Sequence, residues 1–128
     1  MRIGKLLTQS AAVLASIPLL TSNTFAQDSY RAVAVNTNGG WGAAWNHPTR
    51  AAAEQAALNR CYRESGSGCR TAGWSRNACI ALATTGNGGY GWGWASQRAK
   101  ASSIAMEKCR SHNPNGYCRI RVANCPGD

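Results

Sequence analysis

The strongest constraint on the fold of this chain is an internal duplication. Residues 31–45 align without a gap to residues 80–94, and seven of the fifteen aligned pairs are identical. Both copies have a run of alternating small and bulky residues, a turn rich in Gly and Asn, and a second alternating run, which is the pattern of a β-hairpin. The chain therefore contains two similar units, and each element of one unit can be interpreted together with its counterpart in the other.

Each predicted hairpin is followed by an alanine-rich stretch that favours a helix. In the first unit this helix covers residues 50–61, and small apolar residues recur at helical spacing up to Cys61. The same pattern precedes Cys109, and a short strand follows each helix. The predicted fold is α+β: a duplicated β-β-α-β unit, about residues 30–76 and 79–125, that forms one mostly antiparallel sheet with two helices on one face.

Residues 1–26 have the features of a cleaved signal peptide. Two basic residues precede a mostly apolar run, residues 6–20, and Ala26 ends a cleavage motif with small residues at its key positions. A membrane anchor is the alternative, but the apolar run is shorter than the roughly 20 residues that a span needs. We therefore expect a single disulfide-rich domain, residues 27–128, that is exported to the periplasm or out of the cell and has no transmembrane segment.

All six cysteines lie after residue 26, and an even number of cysteines in an exported chain indicates disulfides. A zinc site is the alternative, but the chain has no C-x-x-C pair, so we expect no metal and no cofactor. A duplicated unit closes the same loop twice, and the two cysteines without a counterpart remain for the third bridge. The predicted pairs are Cys61–Cys69, Cys109–Cys118 and Cys79–Cys125.

The chain is strongly basic, with a formal net charge of +9 from 14 Lys and Arg residues against 5 Asp and Glu residues. Twelve of the basic residues and all five acidic residues lie after residue 26, so the predicted mature domain keeps a charge of +7. A basic exported protein meets acidic proteins and anionic envelope polymers, and these are the partners that we expect. Nucleic acid is not an expected partner, and we expect a monomer.

One face of the predicted hairpins carries a concentration of large aromatic side chains. In one interpretation these rings form the core and pack against small residues of the helices. In the other, the Ala/Gly face contacts the helices and the rings face outward beside arginines, as at many protein interfaces. The candidate binding residues are Tyr90, Trp92, Trp94, Trp41, Trp45, Arg50 and Arg98.

The sequence contains no recognisable catalytic motif. The acidic residues lie near the termini, in a cysteine-closed loop or on predicted helices, and no G-x-S-x-G nucleophile motif occurs. We therefore predict no catalytic residues. The alternative is a small secreted hydrolase or nuclease that uses His47 with Arg50 or Glu54, which follow it in the first turns of the predicted helix. A third class is a basic effector delivered into another cell.

These motifs together resemble a family of secreted bacterial proteins, the domain of unknown function 4189 family. The resemblance is carried by Ala32-Val-Ala34, Gly39-Gly-Trp-Gly42, the helix from Ala51 to Cys61, Cys79-Ile-Ala-Leu-Ala83 and the segment from Cys109 to Cys125. It covers nearly all of the chain after residue 26. It implies an exported, cysteine-bridged bacterial domain, and it implies no catalytic residues because no general activity is established for the family.

The function that combines these observations is that of an exported, non-catalytic binding domain. Its expected partner is an acidic protein or an anionic envelope polymer, engaged through basic and aromatic residues. A small, rigid, bridged scaffold also suits an inhibitor or immunity protein that blocks a toxin or a wall-degrading enzyme.

Overall fold

The computed structural model describes residues 27–128, and the predicted signal peptide lies outside the described residues. The elements follow the order ββαβ twice, as the duplication predicts. The first unit consists of β1 (Tyr30–Asn36), β2 (Trp41–His47), α1 (Arg50–Ser65) and β3 (Cys69–Arg76). The second unit consists of β4 (Cys79–Thr84), β5 (Tyr90–Ala95), α2 (Arg98–His112) and β6 (Arg119–Asn124).

Local chemistry explains where α1 begins and ends. The Thr49 hydroxyl accepts a hydrogen bond from the amide of Ala52 at 3.1 Å, which caps the first turn. The alanines that follow have the highest helix propensity of any residue. The helix stops at Gly66, whose φ of +83° is a backbone conformation that glycine adopts without steric cost.

The strands form two three-stranded antiparallel sheets, so the prediction of one sheet is wrong. In each unit the third strand pairs with the first strand, on the side opposite the hairpin partner. The strand orders are therefore β2-β1-β3 and β5-β4-β6, and each sheet is completed within its own unit. The bulky faces of the two sheets then pack against each other, because each would otherwise leave a large apolar area in water.

The two helices lie on opposite outer faces of this sandwich, so the prediction that they share a face is also wrong. α1 packs on Ala32 and Ala34 of β1, and α2 packs on Ala81 and Ala83 of β4. Each helix covers the small-residue face of its own sheet, and the bulky faces already cover each other. The result is a four-layer α-β-β-α arrangement.

The small-residue faces allow unusually close contact between strand and helix. A Cβ atom added at Gly42 would collide with backbone atoms of α1, and one added at Gly91 would collide with the corresponding turn of α2. These two glycines occupy equivalent positions of the repeat. The duplication therefore preserves the packing of each helix on its hairpin.

The central layer between the sheets holds the large apolar side chains. Val33, Val35, Ile80 and Leu82 are buried there. Four rings are partly buried around them: Trp41, Trp45, Tyr90 and Trp92. The aromatic face thus packs on the opposite sheet, an arrangement that differs from both interpretations of the sequence, because neither considered a second sheet as the partner of this face.

The three disulfides have the pairing that the duplication predicts. Cys61–Cys69 and Cys109–Cys118 each join the end of a helix to the strand that follows it, and Cys79–Cys125 joins the start of β4 to the residue after β6. No cysteine between residues 27 and 128 is free. Three disulfides in a domain of this size indicate an oxidising, exported location. None of the helices in the described part of the chain is long and apolar enough to cross a membrane.

Candidate binding grooves

The first unit and the last strand of the second unit enclose a cavity of 630 Å³ at one side of the sandwich. We call it the first groove. Its main lining residues come from β2, the end of α1 and β6: Trp41, Ala43, Trp45, Arg60, Arg63, Glu64 and Arg121. The volume lies in the range of small-molecule and side-chain binding pockets. It joins two aromatic rings with three guanidinium groups.

The second unit has a groove at the equivalent place, with a volume of 680 Å³, which we call the second groove. Its lining residues come from β5 and α2 and include Tyr90, Trp92, Lys108, Ser111, His112 and Asn113. In the repeat, Tyr90 corresponds to Trp41 and Trp92 to Ala43. The two grooves are thus copies of one site that have diverged.

The largest difference between the grooves is the side chain at the middle of the hairpin's return strand. In the second unit this residue is Trp92, and its indole lies against β3 at Gly73, where an added Cβ atom would collide with the ring. In the first unit the same position is Ala43, and the strand across from it carries Val122. Ala43 is buried in the core between the sheets, so the first unit has no ring at this position.

Basic side chains lie over the rings in both grooves. The Arg60 guanidinium lies 6.0 Å from the ring centroid of Trp45, and the Lys108 ammonium lies 5.5 Å from that of Trp92. Arg70 lies 5.2 Å from the ring centroid of Tyr90 and donates a hydrogen bond of 3.1 Å to its hydroxyl. In such a cation–π contact the positive charge is attracted by the negative face of the aromatic ring.

The arginines of the first groove keep their charge free of acidic partners. Within residues 27–128 the ion pairs are Arg50–Glu54, Arg76–Asp28 and Arg98–Asp128. No carboxylate of this part of the chain lies within 4.0 Å of the guanidinium groups of Arg60, Arg63 or Arg121. The Arg121 Nε donates to the Thr84 hydroxyl at 2.7 Å, which orients this guanidinium at the groove. Glu64 also lines the groove, so three guanidinium groups and one carboxylate leave it with a net positive charge.

The structure does not bring the seven predicted binding residues into one site. Trp41 and Trp45 line the first groove, and Tyr90 and Trp92 line the second. Trp94 is 58% exposed and lies with Trp92 beside a separate depression of 400 Å³. The rings of one hairpin therefore face the opposite side of the sandwich from the rings of the other.

The two predicted arginines outside the grooves, Arg50 and Arg98, are engaged within the molecule. Arg50 lies 4.5 Å from the ring centroid of Trp74 and 3.2 Å from a carboxylate oxygen of Glu54. Arg98 makes two hydrogen bonds to Asp128, at 2.7 and 2.8 Å. The Arg98 guanidinium and the Cys125 amide lower the pKa of Asp128 to about 2, and the pKa of Arg98 is raised in return. Both arginines have a partner already, which leaves them less available to an external ligand.

His47 ends β2 and lines a narrower depression of 310 Å³ together with Asn59 and Arg60. The Glu54 carboxylate accepts a hydrogen bond from Arg50. Within the described residues it forms no hydrogen bond with His47. No group of three or more His, Cys, Asp and Glu side chains within residues 27–128 is placed to hold a metal ion.

Sequence reasoning missed three residues of the first groove: Arg60, Arg63 and Arg121. The first two had a signal, because they lie three residues apart near the end of the predicted helix and therefore share a face. Arg121 had none. It belongs to the second unit and reaches the groove only because the two sheets stack face to face.

A small, disulfide-bridged α+β domain made of two ββαβ units is the class of protein that this fold defines. Residues 30–125 match the model of the domain of unknown function DUF4189, so the chain belongs to this family, as the sequence motifs indicated. Three mycobacterial proteins share a segment of 36 residues with it at 53% identity: Protein Mb1300c of Mycobacterium bovis, and Proteins MT1307 and Rv1269c of Mycobacterium tuberculosis. The shared segment covers 28% of this chain and 29% of each of these relatives.

The chain is also similar to a solved structure, the NMR structure of Rv1813c from Mycobacterium tuberculosis. The TM-score is 0.49 and the identity 24%, with 90% of this chain and 99% of the other covered.

Proposed function

We propose that this protein is an exported, non-catalytic binding domain that engages an acidic protein or an anionic envelope polymer through the first groove. The observation that supports the proposal is the grouping of Arg60, Arg63 and Arg121 beside two tryptophan rings. Glu64 also lines the groove, but no carboxylate of the described residues forms an ion pair with these three guanidinium groups. It acts in the periplasm or outside the cell.

The chemistry of these side chains favours an anionic partner. A guanidinium group donates hydrogen bonds in a planar fork that fits a carboxylate, and such charge-assisted bonds are about twice as strong as neutral ones. Trp and Arg are also the residues that most often dominate binding energy at protein interfaces. An inhibitor or immunity protein is the form of this function that suits a small scaffold with three disulfides.

No contact in the structure specifically supports the alternative of a hydrolase or nuclease that uses His47. Arg50 and Glu54 form a salt bridge with each other, and Arg50 is also stacked on Trp74. A general base needs a partner within hydrogen-bond reach to orient it, and neither of the two residues takes that role for His47. The binding function therefore takes precedence.

The proposal is tested by measuring binding to defined anionic chains. Poly-glutamate represents an acidic protein, polygalacturonate an acidic polysaccharide, and dextran a neutral control, each titrated by calorimetry. We expect an anionic chain to bind and dextran not to bind, with Arg60→Gln/Arg63→Gln weakening binding at least about tenfold.

The matched control is Lys100→Gln/Arg110→Gln, which removes the same charge from exposed positions of α2. If the control weakens binding as much as the groove variant, net charge alone explains the binding and the groove is not the site. If neither anionic chain binds, the proposed function is wrong.

A further inference from the structure

We propose that Asn87, in the turn between β4 and β5, is a deamidation site at which the chain itself converts the asparagine to aspartate or isoaspartate. Deamidation begins when the backbone nitrogen of the next residue attacks the side-chain amide, and a glycine at that position obstructs the approach least because it has no Cβ atom. Three asparagines of the chain precede a glycine: Asn38, Asn87 and Asn115. Their surroundings single out Asn87, and the inference is independent of the proposed function.

The reaction consumes water and no other reactant. The Gly88 amide loses its proton, and its nitrogen attacks Cγ of Asn87 to form a five-membered succinimide ring. The bond from Cγ to Nδ2 breaks, and Nδ2 leaves as ammonia with the proton that the Gly88 amide lost. Water then opens the ring at one of its two carbonyls, which adds one negative charge to the chain. Because the attack is intramolecular, the turn that holds both groups sets its rate.

The attacking nitrogen differs among the three sites. In the first hairpin turn the Gly39 amide donates a hydrogen bond of 3.0 Å to the Asn36 carbonyl. After α2 the Gly116 amide donates to the Asn113 carbonyl at 2.9 Å. The Gly88 amide forms no hydrogen bond with any residue that the structure describes. An engaged amide must give up its bond before its nitrogen attacks, so the nitrogen of Gly88 is the one that is ready to react.

The attacked side-chain amide is fixed at Asn38 and not at Asn87, although both asparagines are exposed and each begins the same tripeptide, Asn-Gly-Gly. Nδ2 of Asn38 donates to the Ser65 carbonyl at 2.9 Å, and its Oδ1 accepts from the Gly40 amide at 2.9 Å. Oδ1 of Asn87 accepts a hydrogen bond of 2.6 Å from the Thr85 hydroxyl. Its Nδ2 donates none to the described residues, so the leaving nitrogen is free in the second turn and held in the first.

Polar groups of the second turn favour the charge that develops during the attack. Negative charge builds on Oδ1 of Asn87 as the nitrogen adds to Cγ, and the Thr85 hydroxyl already donates to this atom. A donor placed at a developing oxyanion stabilises the transition state. The Arg121 guanidinium borders the same turn, since a Cβ atom added at Gly86 would lie 3.5 Å from one of its nitrogens. The first turn has Asn36 at the position of Thr85 and therefore lacks this hydroxyl.

The test measures the three sites in one sample of the whole oxidised protein. After incubation at mildly alkaline pH, the protein is reduced and digested with trypsin at mildly acidic pH, which limits further reaction. The sites then lie on separate peptides, residues 32–50, 77–98 and 111–119, and mass spectrometry measures the conversion of amide to acid in each. We expect Asn87 to deamidate at least about tenfold faster than Asn38 and Asn115, because those sites must first break a hydrogen bond.

The reduced and denatured protein is the matched control. Without the fold the two Asn-Gly-Gly sites have no turn to distinguish them, so their rates should become similar. Thr85→Val removes the hydroxyl and should slow deamidation of Asn87 at least about threefold in the folded protein. Thr85→Ser keeps the hydroxyl and should keep the rate. Asn87→Gln should abolish the acidic product in ion exchange, since glutamine would have to close a larger ring.

Two results overturn the inference. One is deamidation of Asn38 or Asn115 in the folded protein as fast as that of Asn87. The other is a difference between Asn38 and Asn87 that persists after denaturation, because the rate would then follow from sequence and not from the turn. Equal rates in Thr85→Val and Thr85→Ser would refute the part assigned to the hydroxyl. The comparison of folded and denatured protein needs no variant, so it decides the matter even if Thr85→Val does not fold.

Discussion

The two grooves are made from equivalent positions of one duplicated unit, but they differ in the side chain at the middle of the return strand and in their charges. In the second groove Trp92 covers Gly73 and lies under Lys108. In the first groove the same position is the buried Ala43, and arginines stand at two positions that are uncharged in the second unit. Substitutions within the repeat thus give two copies of one site different side chains and different charges.

The two units also differ in their disulfides. Both units close a short loop between helix and third strand with a disulfide, but only the second unit has the bridge Cys79–Cys125. The first unit carries Tyr30 and Arg76 at the equivalent positions, and Arg76 forms an exposed ion pair with Asp28. The second unit is thus the more strongly constrained one.

The largest effect is expected from removing the bridge that only the second unit has. Replacing Cys79 and Cys125 with alanine releases a loop that spans 46 residues and should lower the free energy of unfolding by about 4 kcal/mol. The repeated bridge Cys109–Cys118 spans 9 residues, and the same change there should cost about 2.5 kcal/mol. Urea unfolding of both variants measures the difference, and equal costs would show that loop length does not explain it.

A somewhat smaller effect is expected at the contact between Trp92 and Gly73. Gly73→Val forces the Trp92 indole away from β3 and should destabilise the protein by about 3 kcal/mol. Adding Trp92→Ala copies the Ala43–Val122 arrangement of the first groove. The double variant should be about 2 kcal/mol more stable than the sum of the two single variants, because the collision is gone. Strict additivity in urea unfolding would mean that the two residues do not form one contact.

Arg31 is fully buried between the sheets, and the second unit has Ile80 at the equivalent position of the repeat. Its Nε donates to the Asn124 side-chain oxygen at 2.7 Å, and Ser29 and Asn46 accept from its other nitrogens at 3.1 and 3.4 Å. Burial lowers the pKa of Arg31, and the nearby charge of Asp128 opposes this.

Arg31→Ile leaves the buried Asn124 oxygen without its donor and should cost about 2 kcal/mol. Adding Asn124→Ser copies the second unit, where Ile80 is accompanied by Ser75 at the equivalent position of the other sheet, and should recover about 1 kcal/mol. Thermal unfolding of both variants provides the measurement. A double variant less stable than Arg31→Ile would show that Asn124 has a further role in the core.

The smallest effect is expected at the ion pair that begins each helix. Asp128 has a pKa of about 2, well below that of an aspartate in an unfolded chain, so its ionised form stabilises the folded state at neutral pH. This contribution is lost as the pH falls from about 4 to about 2. Asp128→Asn should therefore lower the melting temperature at neutral pH, with the difference from the wild type vanishing in strong acid.

The ion pair of the equivalent arginine in the first unit, Arg50, provides the control for that measurement. Arg50–Glu54 is an exposed pair within one helix, and such pairs contribute only a few tenths of a kcal/mol, roughly 0.3–0.5. Glu54→Gln should change the melting temperature little. If the difference between Asp128→Asn and the wild type persists below about pH 2, the change acts through packing and not through charge.

The candidate site could be predicted only in part. The alternation along β2 and β5 was enough to place Trp41 and Trp45, and Tyr90 and Trp92, on the bulky faces of their hairpins. It did not show that the two bulky faces pack on each other and leave their return strands in separate grooves, so one aromatic surface was predicted where there are two grooves. Arg50 and Arg98 were predicted as binding residues beside the rings, but each forms an ion pair within the chain.

The sequence by itself determined the duplicated ββαβ order, the alternation of small and bulky residues, and, through the repeat, the pairing Cys61–Cys69, Cys109–Cys118 and Cys79–Cys125. These are properties of each unit, so local patterns and internal comparison suffice. Only the tertiary structure decided that the units form two sheets stacked on their bulky faces. The apolar area of a bulky hairpin face can be buried against a helix or against another sheet, with a similar gain in stability. The alternation of residues therefore does not tell which of the two partners covers the face. The docking of the sheets brings Arg121 to the first groove and Trp92 onto Gly73, and it thereby makes the two copies of the site differ.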